Sequence, residues 1–248
     1  MGLFGRGKKQ GTQPFLYNGG VPSPVYLDLM SRYLGPAVQH QRTFGKEIEG
    51  TERWFVDFKD GTIVFDERRF PVQFIGSEST VTNTWLWGTE NVSGMPDSVL
   101  TTVNQFYNSF ILNNVPDLAQ PKLALCEAVS GHIIAMIMAA MATPPYCYYR
   151  CPVSTGAAFV LVGGIPEHVF APIGLEETVE VISDLLEKYA LDHRTLSRTM
   201  LEKNAVSVET GGAPGEDKLT GTYADGRTLE IWFDADGHIL NLAFIPQM

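Results

Sequence analysis

An α+β fold of antiparallel sheets packed against helices, with a C-terminal region of two helices and a three-stranded meander, is what this 248-residue sequence predicts. Alternating apolar runs flank the pairs Asp60-Gly61, Asp225-Gly226 and Asp236-Gly237, and Asp-Gly tolerates the positive φ that a tight hairpin turn demands. Between these runs lie segments whose apolar residues recur at helical spacing. The connections between consecutive strands are too short for the crossovers a parallel sheet needs, which sets a doubly wound fold aside.

Taken in order, residues 1–24 are dense in Gly and Pro, show no apolar period and read as a flexible tail ahead of an α+β domain over 25–165. VYLDLMSRYLGPAV predicts a short helix broken at Gly35-Pro36. RWFVDFKDGTIVFDE predicts a hairpin with a type I′ turn, followed by strands over 70–77 and 80–87. Met95-Pro96-Asp97 opens a helix that places Val99, Val103, Phe106 and Phe110 on one face. A second helix is expected over 122–142. Its stripe of small residues, Ala124, Ala128, Gly131, Ala135 and Ala139, would admit a close neighbour.

CYYRCPV and AAFVLVGG then predict two strands joined at Ser154-Thr155-Gly156. Residues 166–248 form a C-terminal α+β region, either a second subdomain or a completion of the first. It contains a helix over LEETVEVISDLLEKYA with Leu175, Val179, Ile182, Leu186 and Tyr189 on one face, a shorter helix over 193–203, and the meander.

Composition narrows the functional classes. With 44% hydrophobic residues the chain has material for a full core, and three cysteines, Cys126, Cys147 and Cys151, give no disulfide framework and point to a reducing compartment. The start MGLFGRGKKQ lacks the apolar run of a secretory signal, and Arg6 stands where a myristoylation motif wants Ser or Thr, so a cytoplasmic protein is expected. The longest apolar stretch, Ile133 to Ala142, is half the ~20 residues a membrane span requires. Net charge is −10, and from Gly174 onward acids outnumber Lys and Arg by more than two to one. That excess repels phosphate backbones and suits a basic protein surface, or simply keeps the chain soluble.

No nucleophile elbow, phosphate-binding loop or zinc-protease motif is present. Cys147 and Cys151, four apart on a strand, lie about 13 Å from one another and cannot share one metal ion, so they read as buried thiols with no metal or cofactor expected. Asp57/Asp66 and Asp234/Asp236 sit at hairpins, where turn geometry accounts for them. His132, inside an apolar run, reads as a core histidine hydrogen-bonded to a neighbour before it reads as a base or ligand. Trp85 and Trp87 alternate on one strand face, serving as core or as the floor of a pocket, and large aromatics favour core.

The run IGSESTVTNTWLWGTEN, followed by a helix and by YCYYRCPVSTGAAFVLV, resembles the bacterial domain-of-unknown-function family numbered 6882 over about residues 45–165. The family pattern is a Gly-Ser leading into Trp-x-Trp-x-x-x-Asn, matched by Gly76, Ser77, Trp85, Trp87 and Asn91; Tyr149-Arg150 and Phe159-Val160 are similar in placement. Gly88-Thr89 departs from it, since a small residue followed by bulk is expected there. The resemblance implies a bacterial cytoplasmic protein without an assigned activity.

The expectation is therefore a non-enzymatic binding or protein-interaction module with a basic partner, engaging neither nucleic acid nor membrane and open to self-association. The alternative is a small-molecule binder or enzyme with a pocket near the Trp-x-Trp strand, using Trp85, Trp87, Asn91, His132 and Arg150.

Overall fold

The computed structural model describes residues 17–90, 92–211 and 217–246. Serine is a strong N-cap and proline suits a first helical turn. The longest helix begins on that signal: α1 spans Pro24–Glu47, and the Ser23 hydroxyl oxygen accepts from the Tyr26 N–H at 3.2 Å. Ser23 is itself buried and donates its backbone N–H to Asp117 at 3.2 Å. Ordered structure therefore starts ahead of Val25, with a 3₁₀ turn at Tyr17–Gly20; residues 1–16 of the expected tail lie outside the described residues.

The break expected at Gly35-Pro36 does not occur, because α1 runs through both residues. Proline removes one helical hydrogen bond, but tertiary packing outweighs that loss. Gly35 is where a later helix presses in: a Cβ there would stand 2.5 Å from Met200 Sδ and 3.0 Å from Leu196 Cδ1.

Seven strands form the larger sheet: β1 (Trp54–Asp57), β2 (Thr62–Phe65), β3 (Arg68–Ser79), β4 (Thr84–Trp87), β5 (Lys122–Ala124), β6 (Cys147–Val153) and β7 (Gly156–Val162). They are antiparallel throughout, in the order β1-β2-β3-β4-β5, with β7 on the other edge of β3 and β6 beyond it. The first hairpin pairs Asp57 with Thr62, so its loop has four residues rather than the two of a type I′ turn. Asp57 Oδ1 accepts from the N–H groups of Lys59 (2.8 Å) and Asp60 (3.2 Å), and Gly61 alone in that loop has a positive φ, +64°.

After a 3₁₀ turn at Asp97–Val99 comes α2 (Thr101–Leu112), burying Val103 and Phe110 as expected. The single helix expected over 122–142 is instead strand β5, a loop and then α3 (Gly131–Met141). Leu123 is taken by the sheet opposite Trp85, and Ser130 caps the shorter helix by accepting from the Ile133 N–H at 3.3 Å. Of the small-residue stripe, Gly131, Ala135 and Ala139 remain on the helix; a Cβ on Gly131 would meet the Phe159 ring at 2.5 Å.

The C-terminal region holds α4 (Leu175–Lys188), α5 (His193–Asn204) and a four-stranded antiparallel sheet of β8 (Ser207–Gly211), β9 (Asp217–Thr222), β10 (Thr228–Phe233) and β11 (Ile239–Ile245), ordered β11-β10-β9-β8. The expected meander thus gains one strand, β8, which exposes most of its length and carries a single apolar residue, Val208. The buried face of α4 is Leu175, Thr178, Val181, Ile182 and Leu185, leaving the predicted Val179 and Leu186 half-buried.

Helix α1 lies at the centre, touching α3, α4, α5 and β6, while α5 covers β8 and β9. Buried apolar side chains from both regions form one contiguous cluster. Among the described residues no helix is long and apolar enough to cross a membrane.

Candidate functional site

A cleft of about 680 Å³ opens where α1, the 126–130 loop, the start of α3, β6 and the end of α4 converge. Its construction begins with local bonds. The Tyr26 hydroxyl donates to the Ala128 carbonyl at 2.8 Å, and Cys126 N–H donates to the Val129 carbonyl at 2.9 Å, which pins the loop to α1. Ser130 then ends the loop as the α3 cap, and His132 is the second residue of that helix.

On the facing strand, β6 pairs only with β7 and would leave the backbone of Tyr148 bare at its outer edge. Gln41 of α1 supplies the missing partner: its Nε2 donates to the Tyr148 carbonyl at 3.0 Å and its Oε1 accepts from the Tyr148 N–H at 3.2 Å. Held in this way, the Tyr148 hydroxyl lies 2.8 Å from His132 Nδ1. Both rings rest on Phe159, Tyr148 stacked at 6.3 Å and His132 edge-on at 5.3 Å.

Burial pushes the Tyr148 phenol up to about 12, with Tyr189 adding to the effect. His132 is shifted below its ordinary value, first by burial; the charges of Arg150 and Lys188 act the same way and Glu78 acts against them. At pH 7 the pair is therefore neutral imidazole and neutral phenol.

The α4 wall is electrostatically prepared. Arg42 bridges Glu180 (3.2 Å) and Asp184, locking α1 to α4, and Lys188 Nζ sits 5.2 Å above the Tyr189 ring. Val38, Met136, Leu185 and Tyr189 supply the apolar surface.

Of the described residues proposed for a pocket from the sequence, Trp85, Trp87, His132 and Arg150, His132 alone lines this cleft, where the thiol of Cys126 joins it. His132 is an exposed residue of the first helical turn, which corrects its reading as a core histidine. Trp85 and Trp87 are core: both are buried, in edge contact with each other at 5.5 Å, with Trp85 against Phe159 and Trp87 against Tyr107 and Phe110. Arg150 is held by Glu78, 2.9 Å from its Nε and from Nη2, just behind the start of α3. Asn91 lies outside the described residues. The cleft residues Gln41, Arg42, Tyr148 and Lys188 carry no local signal, because segments about a hundred residues apart meet only in the fold.

The remaining candidates have structural employment. Burial pushes the Cys147 and Cys151 thiols up to about 12, away from the thiolate that metal ligation or nucleophilic attack needs. Asp234, Asp236 and His238 bring one ligand atom each within 4.8 Å of one another, the one such group among the described residues. Asp234 Oδ1 accepts from the N–H groups of Asp236 and His238, both at 2.9 Å, so turn geometry explains the cluster. Asp66 likewise accepts from Glu52 and Arg53.

Comparisons with curated proteins and with solved structures return no match. A family match covers residues 27–165, more than half of the chain: it takes in α1 through β7, and so the loop, α3 and β6 walls of the cleft, while the α4 wall lies beyond it. On that match the chain belongs to the family of unknown function DUF6882.

Proposed function

We propose that this protein binds a small organic molecule in the cleft between α1, α3, β6 and α4. The observation that carries the reading is the cleft itself. At about 680 Å³ it falls in the size range of ligand pockets, and it joins apolar walls to a few convergent polar groups, the His132–Tyr148 pair foremost. The pocket anticipated beside the Trp-x-Trp strand is thus relocated, one ring away from Trp85 across Phe159.

Val38→Trp places an indole in the cleft from the half-exposed side of α1. Small-molecule fractions of a cell extract are expected to raise the unfolding temperature of the wild type and leave the variant unchanged. Ligand at 100 times Kd stabilises by about 2.7 kcal/mol, or roughly 5–10 °C for a chain of this size. Equal shifts in both proteins, or none in either, would remove the reading.

A second reading, a basic protein partner, is supported by the net charge and by exposed Glu187 and Glu209, neither with an ion-pair partner among the described residues. Much of the acidic excess is already used internally: Glu176 and Asp225 pair with Arg227, Asp217 with Arg194, and Glu230 with Lys218. Polylysine binding that is unaffected by Glu187→Gln with Glu209→Gln would rule this surface out.

A further inference from the structure

The polar groups of the cleft divide into those already satisfied and those still free, and the free ones define a ligand. Gln41 is spent on the Tyr148 backbone and the Ser130 hydroxyl oxygen on the α3 cap. Arg42 is shared between Asp184 and Glu180, so its donors are spent and the α4 wall keeps one negative charge in excess. What remains among the lining residues is Lys188, Glu127, the Tyr189 hydroxyl, the outward side of the His132–Tyr148 pair and the Cys126 thiol.

Lys188 has no ion-pair partner among the described residues, and its ammonium lies over the Tyr189 ring, 5.2 Å from the centroid. Lys188 and His132 line the same cleft, at whose α3 corner the Lys188 charge also acts to lower the His132 pKa. Their donors suit an anion whichever tautomer is present. If the Tyr148 hydroxyl donates to Nδ1, Nε2 carries a proton and donates outward; if Nδ1 donates instead, the phenol proton is free to do so. The corner also stands at the start of an eleven-residue helix, whose N-terminal end favours negative charge. Glu127 is the opposing charge on the loop wall, and it limits the ligand to a single negative group.

We propose that the cleft takes a monocarboxylic acid with an apolar body, its carboxylate held by Lys188, His132 and the Tyr148 hydroxyl and its body laid on Val38, Met136 and Leu185. This rests on the small-molecule reading above and adds the ligand class. Lys188 comes from α4, outside the family-matched segment, so the head-group preference is supplied by the C-terminal region.

The test uses the full chain labelled with ¹³C at histidine Cε1, titrated with decanoate, decanol and decylamine at constant ionic strength. Decanoate is expected to bind about tenfold or more tighter than decanol, the worth of a charge-assisted hydrogen bond, and to raise the pKa of His132. Lys188→Met should abolish that preference. Glu127→Gln should extend binding to the dicarboxylate sebacate. Running 3-phenylpropionate beside decanoate distinguishes an aromatic from an aliphatic body, and tight binding of either supports the class. Decanol binding as well as decanoate, or decylamine binding best, overturns the carboxylate class and leaves the cleft reading standing. If none of the probes perturbs His132, both fail.

Discussion

His40 shows what one side chain can cost a fold. It is 4% exposed in the middle of α1, edge-on to Phe170 at 4.9 Å, and neither ring nitrogen has a hydrogen-bond partner among the described residues. Burial, with the charge of Lys203 adding, lowers its pKa to about 4. An unfolded histidine takes its proton near pH 6.5, so between the two values the unfolded chain holds a proton that the folded chain refuses. Stability from this site is therefore complete above about pH 6.5 and falls by about 3 kcal/mol as pH drops to about 4. His40→Leu should remove that part of the acid loss, read as urea midpoints at pH 7 and 4; an equal loss in both chains would refute the assignment. The sequence placed the core histidine at His132 because Ile133, Ile134 and Met136 surround it. Gly131, Ile133 and Ile134 are buried and His132 between them is exposed, whereas the residue caught in the core was His40, which lies beyond the helix break expected at Gly35-Pro36. The two tryptophans were legible as core, because a 2-residue period on a strand forces both onto one face.

Elements were legible where a pattern closed locally and illegible where a distant segment decided. The hairpin at Gly61, the β6–β7 pair, and helices α4 and α5 follow from turn residues and periodicity alone. Pro36 argued for a helix break, and packing of α5 against Gly35 overrode it. Residues 122–130 looked helical because alanine and leucine are good helix formers, yet Leu123 completes a ladder whose partner, Trp85, is 38 positions earlier. The neighbouring β3–β4 ladder explains a requirement at β3. A Cβ on Gly76 would lie 2.3 Å from the Trp85 ring and 2.6 Å from the Leu86 carbonyl, and backbone cannot swing away. Gly76→Ala is expected to cost about 2 kcal/mol or more, measured by denaturant unfolding, with the loss concentrated in amide protection of β3 and β4. A neutral substitution there would mean that the indole is not seated where described.

At the scale of the whole molecule, the α+β class was legible from strand grammar, whereas the cleft was not, since its walls come from four separate segments. Family membership and structural independence do not coincide either. The matched segment ends at residue 165, but α1 packs Gly35 against Leu196 and Met200 and bonds Gln39 to Asn204, all in α5 beyond it. A fragment of residues 27–165 is expected to bind a hydrophobic dye and to lack a cooperative thermal transition, while the full chain shows one. A cooperative, dye-free fragment would contradict the central role of α1. That role also orders events in time. Helix α1 leaves the ribosome before α5, and Gln39 accepts its bond from Asn204, 165 positions later, a wait on the order of ten seconds at ordinary synthesis rates. For that interval the nascent helix lacks its α5 cover at Gly35 and Gln39, so chaperone demand should concentrate on α1 and fall when α5 emerges.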